Sequence, residues 1–257
     1  MTVSGPDYQR YGGHTTCFHV EVRPGHHLIV DCGTGLQNLQ RRLPPGEAQE
    51  FTVFLTHYHW DHIQGLPMFT ALNNPRNRFT FYGRGHGGRS VQDLLDAVLC
   101  PPWFPATLED RAAGIVYRDL VGAVDVGGVM VTPVPAHHPQ DCTAFRLDAG
   151  RSVMIVTDHE GGDEAVDRAL AEAGRDADVL IHDGQYTDEE YRLLRRGWGH
   201  STWAMAVEAA AAAGAGRLVL TSHDPSRTDD QVDELVKEAR GRFPLSSAAH
   251  EGMRIRL

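Results

Sequence analysis

The segment Thr56-His57-Tyr58-His59-Trp60-Asp61-His62 puts four metal-capable side chains within six residues, directly behind the apolar run at 51–55. A metal ion needs several lone-pair donors converging on one point, and few short segments supply them. The run FTVFL reads as a buried strand, so the donors begin where the chain leaves a sheet. His57 and His59 can turn toward one ion, and Asp61 and His62 toward a neighbouring one. Imidazole with carboxylate suits zinc. The chain carries 15 histidines against 24 Lys and Arg and 34 Asp and Glu, a net charge of −10. A surplus of imidazoles in an acidic chain again points to metal.

The rest of the sequence reads as a single α/β domain over 1–257, a length that buries a sizeable core. Strands are expected at 15–22, 27–32, 51–55, 78–82, 129–134, 143–147, 152–157, 179–182 and 218–221, where β-branched or apolar runs lie between turn signals. Helical spacing predicts helices at 90–99, 164–173, 202–213 and 229–239. The stretch 100–118, with Pro101, Pro102, Trp103, Phe104 and Pro105, reads as an excursion rather than a core element. It fits a lid over the site, able to stack a nucleobase, or a homodimer contact. Tyr58, Trp60 and Trp198, near the motifs, are expected to pack under the pocket or to shape it.

The longest apolar runs, such as 209–213, fall far short of the roughly 20 residues that span a bilayer. The N-terminus MTVSGPDYQRYGG lacks an apolar signal core. A cytoplasmic protein without membrane contact is therefore expected. The four cysteines, at 17, 32, 100 and 142, form no CxxC pair and are expected reduced, with Cys17 and Cys32 in the core.

THYHWDHIQGLP resembles the signature loop of the metallo-β-lactamase superfamily, and Asp31-Cys32-Gly33-Thr34-Gly35 is similar to its early Asp-x-Gly strand end. The resemblance covers nearly the whole chain. It implies a four-layer αβ/βα sandwich, with two sheets facing each other, helices outside and the metals at one sheet edge. It further implies that His138 in His137-His138-Pro139 is a ligand, with His137 the fallback. Asp158, behind 152–157, takes the bridging position, and His223 in Ser222-His223-Asp224-Pro225 is the last ligand. The implied centre has His57, His59 and His138 on one Zn²⁺, Asp61, His62 and His223 on the second, and Asp158 with a hydroxide bridging both. Manganese or iron is the alternative filling. Di-iron members typically carry Glu where this chain has His59, which argues against redox chemistry.

Gly197-Trp198-Gly199-His200-Ser201-Thr202 resembles the histidine motif of the phosphodiesterase branch, which includes the tRNA 3′-end-processing endonuclease and cyclic-phosphate phosphodiesterases. Asp183 matches the acidic partner of that histidine, and His182 reads as a strand-end histidine. An Asp–His pair keeps the imidazole protonated, fit to stabilise phosphoryl charge or protonate a leaving alkoxide. Asp61, His200 and Asp183 are thus the candidate catalytic residues. Ser201 and Thr202, at a helix start, are the candidate substrate contacts. The long basic arm expected of the tRNA endonuclease is not visible, and the charge of −10 argues against a nucleic-acid polymer. The expected substrate is a small anionic phosphodiester such as a cyclic nucleotide. Hydrolysis of a carbon ester, thioester or lactam, or a metal-binding biosynthetic accessory role, are the competing readings.

Overall fold

The computed structural model describes residues 1–44 and 46–257, and these divide into two compact units. The first takes in 1–2, 14–122 and 126–128; the second takes in 3–13, 123–125 and 129–257.

The first unit is built on a five-stranded sheet of order β1-β2-β3-β4-β5. Its strands are β1 Phe18–Arg23, β2 His26–Val30, β3 Glu50–Phe54, β4 Arg78–Gly83 and β5 Gly114–Asp119. β1 and β2 form an antiparallel hairpin across Pro24-Gly25, and β2 to β5 run parallel. Its helices are α1 Leu36–Gln40, α2 Trp60–Ile63 and α3 Val91–Val98. Ser90 caps α3 in a reciprocal capping box with Asp93. The core joins Ile29, Phe51, Val53, Phe79 and Phe81 of the sheet to Leu36, Leu39, Leu95 and Leu99. Leu28, Val30 and Phe54, on the opposite pleat, are buried as well. Burial on both faces explains why these strands read as continuous apolar runs.

The second unit carries a seven-stranded sheet of order β12-β11-β10-β9-β8-β7-β6. The strands are β6 Val124–Val126, β7 Val129–Ala136, β8 Cys142–Asp148, β9 Ser152–Val156, β10 Val179–Asp183, β11 Leu218–Thr221 and β12 Ser246–Ala248. β7, β8 and β9 alternate in direction, whereas β9 to β12 are parallel. The helices are α4 Glu164–Ala173, the short α5 Asp188–Glu190 with a π-helical turn Tyr191–Arg195, α6 Trp203–Ala213 and α7 Asp229–Arg242. The alanines of α6 (Ala206, Ala210) let it lie close to Met154, Leu180 and Leu218 of the sheet.

Two expectations need correction. The excursion at 100–118 ends early, because Gly114–Asp119 is β5, an edge strand paired with β4. Ile115 and Tyr117 pack on the core while Val116 faces outward, a half-buried pattern that proline and glycine nearby obscured. Trp60 and Trp198 do not pack inside; both are more than half exposed. Tyr58 does pack on the core, with its hydroxyl donating to the carbonyl of Arg84. The four cysteines are free thiols, and Cys32 is buried in the core.

Candidate metal centre

Parallel strands bring their C-terminal ends to one sheet edge, and the motif residues sit at such ends. In the first unit, Asp31 follows β2 and Thr56 to His62 follow β3. Asp31 has a left-handed backbone (φ 62°), a conformation that aspartate tolerates better than most residues. Its side chain is fully buried and accepts from the Thr56 amide (2.9 Å), the Thr56 hydroxyl (2.9 Å) and Nδ1–H of His62 (2.7 Å). Gly33 lies against the backbone oxygens of Asp61 and Thr16, where any Cβ would collide. The amide of Cys32 donates to the His62 carbonyl at 2.7 Å. The Asp31-Cys32-Gly33 turn and α2 are thereby stitched together.

These bonds fix histidine tautomers. Nδ1–H of His62 is held by Asp31 and Nδ1–H of His57 by the Thr56 hydroxyl (3.0 Å), so each ring carries its lone pair on Nε2. This is how a carboxylate or hydroxyl behind a histidine prepares it for metal. The ring of His57 lies 4.5 Å from that of His59 and 4.2 Å from that of His62, centroid to centroid. His59 is the extended residue that begins α2, and Asp61 stands in the first turn of that helix.

In the second unit, β7, β9, β10 and β11 end at one edge, carrying in turn His137 and His138, Asp158, Asp183, and Ser222 and His223. Asp158 (φ 47°) and Ser222 (φ 58°) are left-handed, and the Ser222 hydroxyl donates to Asp158 Oδ1 at 3.2 Å. Nδ1–H of His138 donates to the carbonyl of Gly199 at 2.6 Å, and its Nε2 lies 3.8 Å from Asp158 Oδ2. Nδ1 of His137 is instead engaged with the Glu160 carbonyl at 3.1 Å. The Nε2–H of His223 donates to the Ala249 carbonyl at 3.1 Å, which leaves Nδ1 as acceptor, buried and without a hydrogen-bond partner. Burial pushes the His223 imidazole below its ordinary value, toward the neutral form a ligand must have. A buried lone pair with nothing to accept from is costly in an apo protein and is satisfied by a cation.

Nδ1–H of His200 donates to Asp183 Oδ2 at 2.6 Å. Asp183 is fully buried, while the His200 side chain is 18% exposed. Burial pushes the Asp183 carboxyl up, and the imidazole of His200 pulls it back. Asp158, Asp183 and His200 bring their donor atoms within 4.8 Å of one another. Ser201 and Thr202, the candidate substrate contacts, both engage their hydroxyls inside the protein. The Ser201 hydroxyl donates to the His159 carbonyl (2.6 Å) and accepts from the Gly161 amide (3.1 Å). Thr202 caps α6 by accepting from the Met205 amide. His182 is buried, with Nδ1–H donating to the Asp183 carbonyl, and burial lowers it to about 4. Cys142 directs its thiol to the Thr157 carbonyl.

Two residues that carry no motif organise this edge. His159 accepts from the His137 amide through Nδ1 (3.1 Å) and donates through Nε2 to Asp167 (3.0 Å). Glu160 accepts from the amides of Gly197 and Gly199 (2.7 Å each) and from the Tyr191 hydroxyl (2.8 Å). Burial opposes the charge, but these donors hold the Glu160 carboxyl below its ordinary range. The only sequence signal for either was its place directly behind Asp158.

The chain matches the family model described as "Beta-lactamase superfamily domain" over residues 26–223. It is 28% identical to the ribonuclease Z of Haloarcula marismortui across 86% of this chain and 84% of that one, and 26% identical to that of Bacillus subtilis across 88% and 87%. Among solved structures, the metallo-beta-lactamase fold protein YhfI from Bacillus subtilis superposes with a TM-score of 0.72 (22% identity, 94% of this chain, 91% of that one). Human tRNase Z, short form, gives 0.69 (20%, 99% and 96%), and a diphosphatase from the PhnP family also gives 0.69 (19%, 95% and 84%). The likeness in structure establishes the metallo-β-lactamase type of fold expected from the signature loop. The chain belongs to the beta-lactamase superfamily, as a metal-dependent hydrolase of that fold.

Proposed function

We propose that the protein is a dinuclear zinc phosphodiesterase acting on a small phosphodiester, with a cyclic nucleotide or similar cyclic phosphate as the leading substrate. The observation that carries this reading is the 2.6 Å pair between buried Asp183 and partly exposed His200. A carboxylate behind Nδ1 holds a proton on that nitrogen and favours a second one on Nε2, where it can meet a phosphoryl oxygen or a leaving alkoxide. The ribonuclease names of the relatives point to phosphodiester bonds.

His57, His59 and His138 would hold one ion, Asp61, His62 and His223 the second, and Asp158 both. Two divalent ions supply Lewis acidity and an activated water at neutral pH. Histidine-rich donors favour zinc over magnesium or calcium. Asp31 and Thr56 orient His62 and His57, the Gly199 carbonyl orients His138, and the Ala249 carbonyl orients His223. His200 binds the phosphoryl group and delivers its Nε2 proton to the departing oxygen.

The test is a panel of p-nitrophenyl phosphodiester, phosphomonoester, thioester and lactam substrates offered to zinc-loaded protein. Preferred cleavage of the phosphodiester supports the reading. Thioester or lactam turnover that exceeds it by an order of magnitude rejects phosphodiester cleavage and leaves the metallohydrolase.

A further inference from the structure

Residues 191–198, Tyr-Arg-Leu-Leu-Arg-Arg-Gly-Trp, place three arginines within five positions of a chain whose net charge is −10. Two residues beyond them stands His200. The Arg195 guanidinium lies 4.4 Å from the Trp198 ring centroid and 5.8 Å from that of Tyr186. The Tyr186 ring meets His200 edge-on at 5.9 Å. A continuous run of aromatic and guanidinium planes therefore leads from His200 outward, through buried Tyr186 and half-buried Arg195, to Trp198, which is 56% exposed.

The platform is rigid. Glu160 anchors the amides of Gly197 and Gly199 on either side of Trp198, and the Trp198 amide donates to the Arg195 carbonyl at 3.1 Å. The backbones of Gly197 (φ 82°) and Gly199 (φ 85°) are left-handed, so the turn that lifts the indole outward is built for glycine. An indole stacked by arginine, held in a fixed loop and still open to solvent, is a preorganised surface for a flat, electron-poor ring. Bases stack on exposed aromatic side chains and on guanidinium planes in just this way.

We infer that Trp198, backed by Arg195, forms a nucleobase subsite beside His200, so that the substrate carries a base next to its scissile phosphate. This rests on the phosphodiesterase reading for the role of His200, and it narrows the substrate class to nucleotides over base-free phosphodiesters. Trp198 acts here as a specificity-determining residue that leaves the reacting atoms to others.

The experiment measures calorimetric binding of AMP and of ribose 5-phosphate to the zinc-loaded protein, its Trp198→Ala variant and its Trp198→Phe variant. The two ligands share the sugar phosphate and differ in the base. Wild type should bind AMP about tenfold or more tightly than ribose 5-phosphate, the scale of one stacked base. Trp198→Ala should lose that preference while still binding ribose 5-phosphate, which also reports an intact fold. Trp198→Phe should restore most of the preference. Equal affinities in wild type, or a preference that survives Trp198→Ala, overturn the subsite. Cleavage of methyl p-nitrophenyl phosphate is scored separately. Turnover without base preference rejects the subsite and keeps the phosphodiesterase; base preference without turnover does the reverse.

Discussion

Nδ1 of His138 lies 2.6 Å from the carbonyl oxygen of Gly199, the residue directly before His200. One loop thus orients a metal-ligand candidate and carries the acid candidate, and Glu160 holds that loop through two amides. Glu160→Ala should leave the amides of Gly197 and Gly199 without an acceptor and loosen both functions together. Metal affinity and kcat should each fall by about 10- to 100-fold, the usual scale for groups behind a metal ligand. Competition with a zinc chelator, read beside single-turnover rates, checks this. A variant with wild-type zinc affinity and rate would show that the loop is rigid without Glu160.

His200→Ala should lower kcat by about 10² to 10⁴ while metal content stays unchanged. Asp183→Asn should give a smaller loss. The defect should be larger for an alkoxide leaving group than for nitrophenolate, because the latter departs without a proton. Equal losses for both leaving groups would reduce His200 to phosphate binding.

Asp158→Ala should lose at least one ion per chain and nearly all activity. His138→Ala should behave similarly, whereas His137→Ala should retain metal, since its Nδ1 is taken by the Glu160 carbonyl. Elemental analysis of the three variants decides. Unchanged metal in Asp158→Ala removes it from the centre, and a depleted His137→Ala exchanges the two histidines.

Asp31→Asn should weaken zinc binding by about 10- to 100-fold, because an amide in place of the carboxylate no longer secures Nδ1–H of His62 and the Thr56 donors together. Zinc titration against a chromogenic chelator measures it, and an affinity unchanged from wild type would assign Asp31 a purely structural part.

Glu190 closes the capping box with Thr187 and accepts from Arg227 at 2.6 Å. Burial raises its carboxyl, but the Thr187 amide and the Arg227 guanidinium outweigh that and leave it below the ordinary value of 4.5. A depressed carboxyl stabilises the fold fully above its unfolded value and loses that contribution as pH falls through the folded one. Glu190→Gln should therefore lower Tm at neutral pH and reduce the loss of Tm on acidification below about pH 4.5. Parallel melting curves for both proteins that differ by a constant across that range would contradict the assignment.

The metal-donor string at 57–62, the helix bounds of α4 and the strand β11 were legible in the sequence, because each is local: consecutive donors, a 3.6-residue period, a β-branched run between turns. The pair Asp183–His200 was legible only through resemblance, since seventeen positions separate the two and nothing local joins them. The three-residue strands β6 and β12 and the single turn of α2 left no period long enough to read, and the prolines and glycine around β5 hid its alternation. Tertiary structure alone decided how hydroxyls and carbonyls are spent. Ser201 has the chemistry to bind an anion, yet long-range partners at His159 and Gly161 engage its hydroxyl, whereas the Thr202 cap on α6 is local. Glu160 and His159 looked like ordinary polar residues after a strand. The fold turned them into the supports of the histidine loop, because β7, β9 and β10 end at one edge and bring positions 39 and 22 residues apart within hydrogen-bonding distance.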